Sequence, residues 1–154
     1  MRKQLKKPKK AVVNFIGISI VIGSPEFFKN GNCDYIVDAE KVIVTARKAF
    51  KTAGINTAIL TPIIHRSEEI LLPRYEQYYK CRIKDENDIE YLIVVEDTGE
   101  KQTVIITRDV YDSSRCTEAS MLLREIAKIL AKELGESRFV FNKDGKNRLC
   151  IISD

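Results

Sequence analysis

The sequence contains a single histidine, His65, among its 154 residues. A Ser-His-Asp or Cys-His catalyst would need that residue as its base, and a site with two histidines and one carboxylate cannot form within one chain. A pairing of His65 with Cys81 has no support from the spacing of the two residues. A lone histidine at a predicted strand end is typical of a surface position, so the sequence argues against nucleophilic catalysis.

Close cysteine pairs and glycine-rich phosphate loops are also missing. The four cysteines, at positions 33, 81, 116 and 150, are too far apart in sequence to give the paired ligands of a zinc site. We expect reduced thiols, as in a cytosolic protein. Gly17 and Gly23 are followed by no Lys-Ser or Lys-Thr pair, and the G-x-G-x-x-G pattern is absent. The sequence therefore predicts no bound metal and no cofactor.

No apolar run is long enough to cross a bilayer. Residues 11–23 form a run of 13 residues, whereas a spanning helix needs about 20. This run follows a basic segment, and together they resemble the n-region and h-region of a secretory signal peptide with cleavage before Ser24. Asn14 and Ser19 interrupt the apolar run and argue against this interpretation. We expect a cytoplasmic protein, with secretion as the alternative if residues 1–23 are a signal peptide.

Acidic residues are absent from the first ten positions, which carry six of the 26 basic side chains. Residues 11–154 then hold 20 basic and 22 acidic groups, so the formal charge of +4 comes from the N-terminal segment. Such a like-charge run is solvated, or it binds a nucleic acid or an anionic lipid surface. We expect a basic tail at residues 1–10 and one folded α+β domain at residues 11–154. The tail residues expected to contact nucleic-acid phosphates are Arg2, Lys3, Lys6, Lys7, Lys9 and Lys10.

Hydrophobic periodicity predicts two helices in the folded part of the chain. The first is capped by Asp38 and ended by Gly54, and the second begins at Ser113 or Ser114 and ends at Gly135. Each has one apolar side for packing. The opposite side of the first helix carries the basic residues Lys41, Arg47, Lys48 and Lys51.

The remaining segments predict strands. Residues 11–22 form a long buried strand, and NTAILTPII after the first helix is a strand broken at Pro62. Residues 65–73 predict a short helical turn. The runs YEQYYKCRI, DIEYLIVV and QTVIITR are three closely linked strands, with the second away from the sheet edges, and RFVF and RLCII form a hairpin.

The order is therefore strand, helix, four strands, helix, two strands. Linkers this short leave no room for crossover helices, so neighbouring strands should be antiparallel. The predicted fold class is α+β, a mainly antiparallel mixed sheet with the two helices packed on one face.

One predicted strand has a basic, aromatic face. Strand alternation places Tyr78, Lys80, Arg82 and Lys84 on the same side. Basic groups can neutralise phosphates while a tyrosine ring stacks on an unpaired base, as in single-strand binders. The alternative interpretation is an edge strand whose charges prevent sheets from associating.

Acidic clusters occur at residues 68–69, 85–88, 96–97 and 109–112, all in predicted loops or turns. We interpret them as solvated turn residues rather than a converging catalytic or metal site. Asp144, Gly145 and Lys146 have the D-x-K spacing of many nuclease metal sites, but they lie in the predicted hairpin turn NKDGKN. Turn chemistry accounts for all three residues.

These patterns favour a non-enzymatic component of a nucleoprotein assembly. Its basic tail would contact nucleic-acid phosphates without reading base sequence, and the strand with Lys80, Arg82 and Lys84 would extend the contact. A first alternative is a protein-interaction or structural subunit, such as an adaptor, chaperone or virion component, whose tail only aids solubility. Protein partners and self-association stay open under both hypotheses. A second alternative is an enzyme that uses carboxylates and a metal ion.

Overall fold

The computed structural model describes residues 13–23, 38–71, 74–98 and 101–153. These residues form eight strands and two α-helices in the order strand, helix, five strands, helix, two strands. The first part contains β1 (Asn14–Ile22), α1 (Ala39–Thr52), β2 (Thr57–Ile59), β3 (Ile64–Leu71), β4 (Arg74–Asp85), β5 (Glu90–Asp97) and β6 (Gln102–Val110). A 3₁₀ turn (Ser113–Arg115) then leads into α2 (Cys116–Glu133), β7 (Arg138–Lys143) and β8 (Lys146–Ile151).

All eight strands join one sheet, and every pairing in it is antiparallel. The spatial order is β2-β4-β5-β6-β1-β7-β8, and β3 also pairs with β4. Because β5 occupies one side of β4, β2 and β3 must share the other. They cover successive stretches of it, with Ile59 opposite Ile83 and Ile64 opposite Lys80. Pro62 lies between them and has no N–H to donate to a ladder, which explains the predicted break.

Both helices pack on the same face of the sheet, so the predicted α+β class is confirmed. α1 contacts α2, β2 and β5, and α2 contacts β1 and β7. The side chains beneath them alternate along each strand, as Ile16, Ile18, Ile20 and Ile22 of β1 show with at most 2 % exposure each. Burying a side chain of this size contributes about 1.5–3 kcal/mol. The apolar stripe of α2 completes this core with Leu123, Ile126, Ala127, Leu130 and Leu134.

Local signals set the helix ends. The Asp38 carboxylate accepts a hydrogen bond from the Lys41 N–H at 3.2 Å and so caps α1. Gly54 and Gly135 follow the two helices with φ angles of +88° and +75°, the left-handed conformation in which glycine is favoured. The predicted start of α1 and the predicted C-terminal ends of both helices are therefore confirmed.

The predicted cap of the second helix was wrong. α2 has no side-chain cap, and Asp112 instead caps the 3₁₀ turn before it: its carboxylate accepts hydrogen bonds from the Ser114 N–H at 3.0 Å and the Ser114 hydroxyl at 2.6 Å. These bonds lower the pKa of Asp112. The 3₁₀ turn occupies the predicted start, and α2 itself begins at Cys116.

Two further expectations need correction. The segment expected to form a helical turn is β3, because pairing with β4 satisfies its backbone along nearly its whole length. β4 is not an edge strand, since it lies between β5 and the two short strands β2 and β3. Protection of a sheet edge therefore cannot explain Lys80 and Arg82.

Candidate nucleic-acid interface

The sheet face opposite the helices, here called the open face, is covered by no other element among the described residues. It consists of the side chains that alternate with the core positions of each strand. Phe15 and Val21 of β1 are 44 % and 51 % exposed on it, whereas the isoleucines between them are buried. At the far edge, Leu149 and Ile151 of β8 are 56 % and 75 % exposed. The open face is thus a broad, partly apolar surface in contact with solvent.

Cross-strand pairing arranges the open face in rows that run across the strands. The Arg82 row contains Arg82, Leu92, Thr107, Gly17, Asn142 and Asn147. The Lys80 row contains Lys80, Val94, Ile105, Ser19, Val140 and Leu149. Neither row contains an acidic residue. Each begins with a positive charge on β4 and continues over uncharged side chains to β8.

The two flanking rows contain acids. One runs from Lys84 through Glu90 and Asp109 to Phe15. The other runs from Tyr78 through Glu96 and Thr103 to Val21. Negative charge on the central strands of the open face is therefore confined to the flanks of the two acid-free rows.

The structure brings together the four residues predicted on β4, here called the basic stripe: Tyr78, Lys80, Arg82 and Lys84. Lys80 lies over the Tyr78 ring, with its Nζ atom 5.8 Å from the ring centre. Arg82 and Lys84 approach Glu90 and Asp88 at 4.0 and 3.5 Å. Ion pairs this exposed are weak and screened by salt, so both cations can exchange these partners for a stronger anion.

The other predicted basic residues do not join this stripe. Residues 1–10, with all six predicted tail contacts, lie outside the described residues. α1 packs on the opposite face of the sheet, so the exposed Lys48 and Lys51 lie on the far side from the basic stripe. Arg47 binds β2, where its guanidinium donates to the Thr57 carbonyl at 2.8 Å. The positive charge of α1 therefore does not extend the basic stripe.

A depression in the open face was not predicted. It has a volume of about 390 Å³ and lies where Gly17 leaves a gap in the Arg82 row. Its lining includes Phe15 of β1 and Asn142, Gly145 and Asn147 of the β7–β8 hairpin. The strict alternation of isoleucines along NFIGISIVI was the signal in the sequence, because it assigns Phe15 and Gly17 to the face away from the core.

Asp144 holds the edge of this depression in place. Its carboxylate accepts the Phe15 N–H at 2.8 Å and the Asn14 amide at 2.9 Å, and its own N–H donates to the Phe15 carbonyl at 2.8 Å. The hydrogen bond from Phe15, followed by that from Asn14, lowers the pKa of Asp144. Asp144 and Gly145 have φ angles of +50° and +86°, as expected for a two-residue hairpin turn. The D-x-K triplet thus has the predicted structural role.

The catalytic pair considered for His65 and Cys81 is not assembled. The His65 ring stacks on Tyr79 at 4.6 Å, and its Nε2 atom lies 3.1 Å from the Gln77 amide oxygen. The Cys81 thiol instead donates to the Thr61 carbonyl at 3.4 Å. Burial raises the pKa of Cys81, although Arg47 opposes this shift. The thiolate that nucleophilic chemistry needs is therefore disfavoured.

The acidic cluster at residues 85–88 stabilises the turn between β4 and β5. The Asp85 carboxylate accepts the Asn87 and Ile89 N–H groups at 2.8 and 3.0 Å, and Glu86 accepts the Asn56 N–H at 3.1 Å. In the described part of the chain, no three His, Cys, Asp or Glu side chains converge in a way that could hold a metal ion. Among the same residues, neither helix combines the length and apolar character needed to cross a membrane.

No protein-family model matches this chain, and no curated protein is significantly similar to it in sequence. The geometry of the open face is therefore the basis for any functional assignment.

Proposed function

We propose that this protein is a non-enzymatic nucleic-acid-binding component of a nucleoprotein assembly. Its basic N-terminal segment and the basic stripe contact phosphates, and the bound single-stranded nucleic acid lies across the open face. The observation that carries the proposal is the pair of acid-free rows that begin at Arg82 and Lys80 on an uncovered sheet face.

Electrostatics supports this placement of the phosphates. Arg82 and Lys80 project from adjacent rows of one strand, so their charges act on the same stretch of a bound backbone. Glu90 and Asp88, which approach Arg82 and Lys84, lie on the side of the Lys84 row. A polyanion crossing the two central rows meets uncharged residues after leaving β4. Repulsion from acids is therefore avoided along this path.

The covalent connection of the tail supports a shared surface. In the sequence, residues 1–10 lie three residues before Asn14, the first residue of β1. Phe15 lies at this end, on the open face. Six basic side chains thus lie close in sequence to the strand that carries Phe15.

Salt-dependent binding tests the proposal. With a labelled single-stranded oligonucleotide, log Kd is measured against log salt between about 50 and 200 mM. The double variant K80Q/R82Q should reduce the slope by about 1.4, because each phosphate contact on a single strand contributes about 0.7. Deleting residues 1–10 should reduce it by up to about 4 by the same rule.

The matched control is K48Q/K51Q, which removes the same charge from the opposite side of the molecule. It should leave the slope unchanged. The proposal would be overturned if deleting residues 1–10 left the slope of log Kd against log salt unchanged. It would also be overturned if K48Q/K51Q and K80Q/R82Q reduced this slope equally.

One observation favours a protein-interaction subunit as a second candidate. β8 is an edge strand, and Leu149 and Ile151 extend the open face to its unpaired side. Such an edge can accept a strand from another chain. Lys146 and Arg148 on the same strand oppose uncontrolled pairing. A monomer on size-exclusion chromatography that captures no protein from its native extract would contradict this candidate.

A further inference from the structure

We propose that the depression over Gly17 binds one unpaired nucleobase, which stacks on the Phe15 ring. This inference rests on the proposed function and specifies where the open face contacts a base rather than a phosphate. The test below separates its failure from that of the proposed function.

Phe15 has the properties of a stacking platform. Its side chain is 44 % exposed, so it is not needed to fill the core. Its backbone is nevertheless fixed on both sides, because its N–H and carbonyl groups bond to Asp144 at 2.8 Å each. An exposed aromatic ring on a fixed backbone loses little conformational freedom when a base stacks on it.

Gly17 provides the space for the base. A Cβ atom at this position would lie 2.9 Å from Thr107 Cγ2 and 3.2 Å from the Ile106 carbonyl oxygen. Neighbouring groups therefore close in on the glycine from β6, and Gly17 itself is buried beneath the depression that it lines. Any larger residue would fill the site and displace Thr107.

Polar groups of the β7–β8 hairpin also line the depression. The Asn142 amide donates to the Asn147 Oδ1 atom at 2.6 Å, and its own Oδ1 atom accepts the Gly145 N–H at 3.2 Å. This arrangement occupies the oxygen of Asn147 and leaves its Nδ2 group as the other polar atom of the side chain. Within the described residues that nitrogen has no hydrogen-bond partner, so it can donate to a carbonyl or ring nitrogen of a base.

The distance between the depression and the basic stripe suits a single-stranded nucleic acid that crosses the β-sheet. Gly17 and Arg82 belong to the same row and are separated by three strand spacings, about 14 Å. Leu92 and Thr107 occupy the row between them and are uncharged. A backbone bound at Arg82 can therefore reach Gly17 along this row without crossing an acidic side chain, although Asp109 lies opposite Phe15 in the flanking row.

A tryptophan reporter tests the inference directly, since the chain contains no tryptophan. Phe15→Trp keeps an aromatic platform and adds a unique fluorophore, whose emission is quenched when a base stacks on it. The full chain carrying this change is titrated with an oligo-dT strand and with an abasic strand that has the same phosphates. Val21→Trp is the matched control, because it lies on the same strand and face but outside the depression.

We expect oligo-dT to quench the emission of the Phe15→Trp variant strongly and the abasic strand to leave it nearly unchanged. The emission of the Val21→Trp variant should respond equally to both strands. In the protein without a reporter, Phe15→Ala should weaken oligo-dT binding about tenfold without changing the salt slope, because stacking is lost and phosphate contacts remain. Asn147→Ala should weaken it less, and thermal melting checks that each variant is folded.

If the protein binds oligo-dT and the abasic oligonucleotide with equal affinity and the wild-type salt slope is unchanged, the proposed base site is wrong but the proposed function is not. The base site would also be wrong if the emission of the Phe15→Trp variant changed with protein concentration and not with oligonucleotide concentration. A second protein molecule would then cover position 15. Absence of binding to either strand would overturn the proposed function and this inference together.

Discussion

Asp144 and Phe15 hold each other through two backbone-centred hydrogen bonds, although 129 residues separate them in sequence. The Phe15 N–H donates to the Asp144 carboxylate and the Asp144 N–H donates to the Phe15 carbonyl, each at 2.8 Å. This contact ties the β7–β8 turn to the start of β1. It therefore links the tail's attachment point, the exposed aromatic ring and the hairpin that lines the depression.

The lowered pKa of Asp144 predicts a pH dependence of stability. Because the folded-state pKa lies below the unfolded value of about 3.9, the ionised carboxylate stabilises the fold above that pH. The contribution is lost as pH falls through the folded-state pKa. Asp144→Asn should therefore be less stable than the wild type above about pH 4, and the difference should shrink on acidification.

Melting temperatures of both proteins, measured from neutral to acidic pH, check this expectation. Asparagine tolerates the positive φ of position 144, so the turn itself is preserved. Asp109→Asn is the control, because it removes a carboxylate opposite Phe15 without touching the hydrogen-bonded pair. A constant difference between Asp144→Asn and the wild type at all pH values would contradict the assignment.

The contact between Gly17 and Thr107 predicts a compensating pair of substitutions. Gly17→Ala places a Cβ atom 2.9 Å from Thr107 Cγ2, and overpacking of this kind costs about 1–3 kcal/mol. Thr107→Ser removes the atom that it would meet. The double variant should therefore lose less stability than the sum of the two single variants.

Urea unfolding of the wild type, the two single variants and the double variant measures the four stabilities of this double-mutant cycle. The double variant should still have a lower free energy of unfolding than the wild type, because the Ile106 carbonyl oxygen lies 3.2 Å from the new Cβ atom. Additive losses would show that Thr107 is not the group that excludes a side chain at position 17.

Short-range patterns were sufficient to predict most of the fold. Asp38 and Gly54 were correctly placed at the ends of α1, because capping and left-handed termination depend on a few neighbouring residues. Residues 65–73 were mispredicted as a short helical turn, since β3 becomes a strand only through its pairing with β4. The start of α2 was misplaced because a 3₁₀ turn, capped by Asp112, precedes the helix.

The candidate site was predictable only in part. Alternation along one strand was enough to place Tyr78, Lys80 and Arg82 on a common face. The acid-free rows depend on which strands lie beside β4, and strand order involves contacts far apart in sequence. Similarly, the alternation in β1 turns Phe15 away from the core, but its exposure to solvent depends on both helices lying on the other side of the sheet.

Burial and hydrogen bonding predict unequal reactivity for the described cysteines. Cys81 and Cys116 are buried, and burial raises the pKa of the Cys81 thiol, whereas Cys150 is partly exposed. Because the thiolate is the reactive species, a maleimide at mildly alkaline pH should modify Cys150 well before Cys81 or Cys116. Peptide mass mapping at successive times measures each site separately, and the same reaction in urea should remove the difference. Rapid modification of Cys81 in the folded protein would show that its burial and its bond to the Thr61 carbonyl do not protect it.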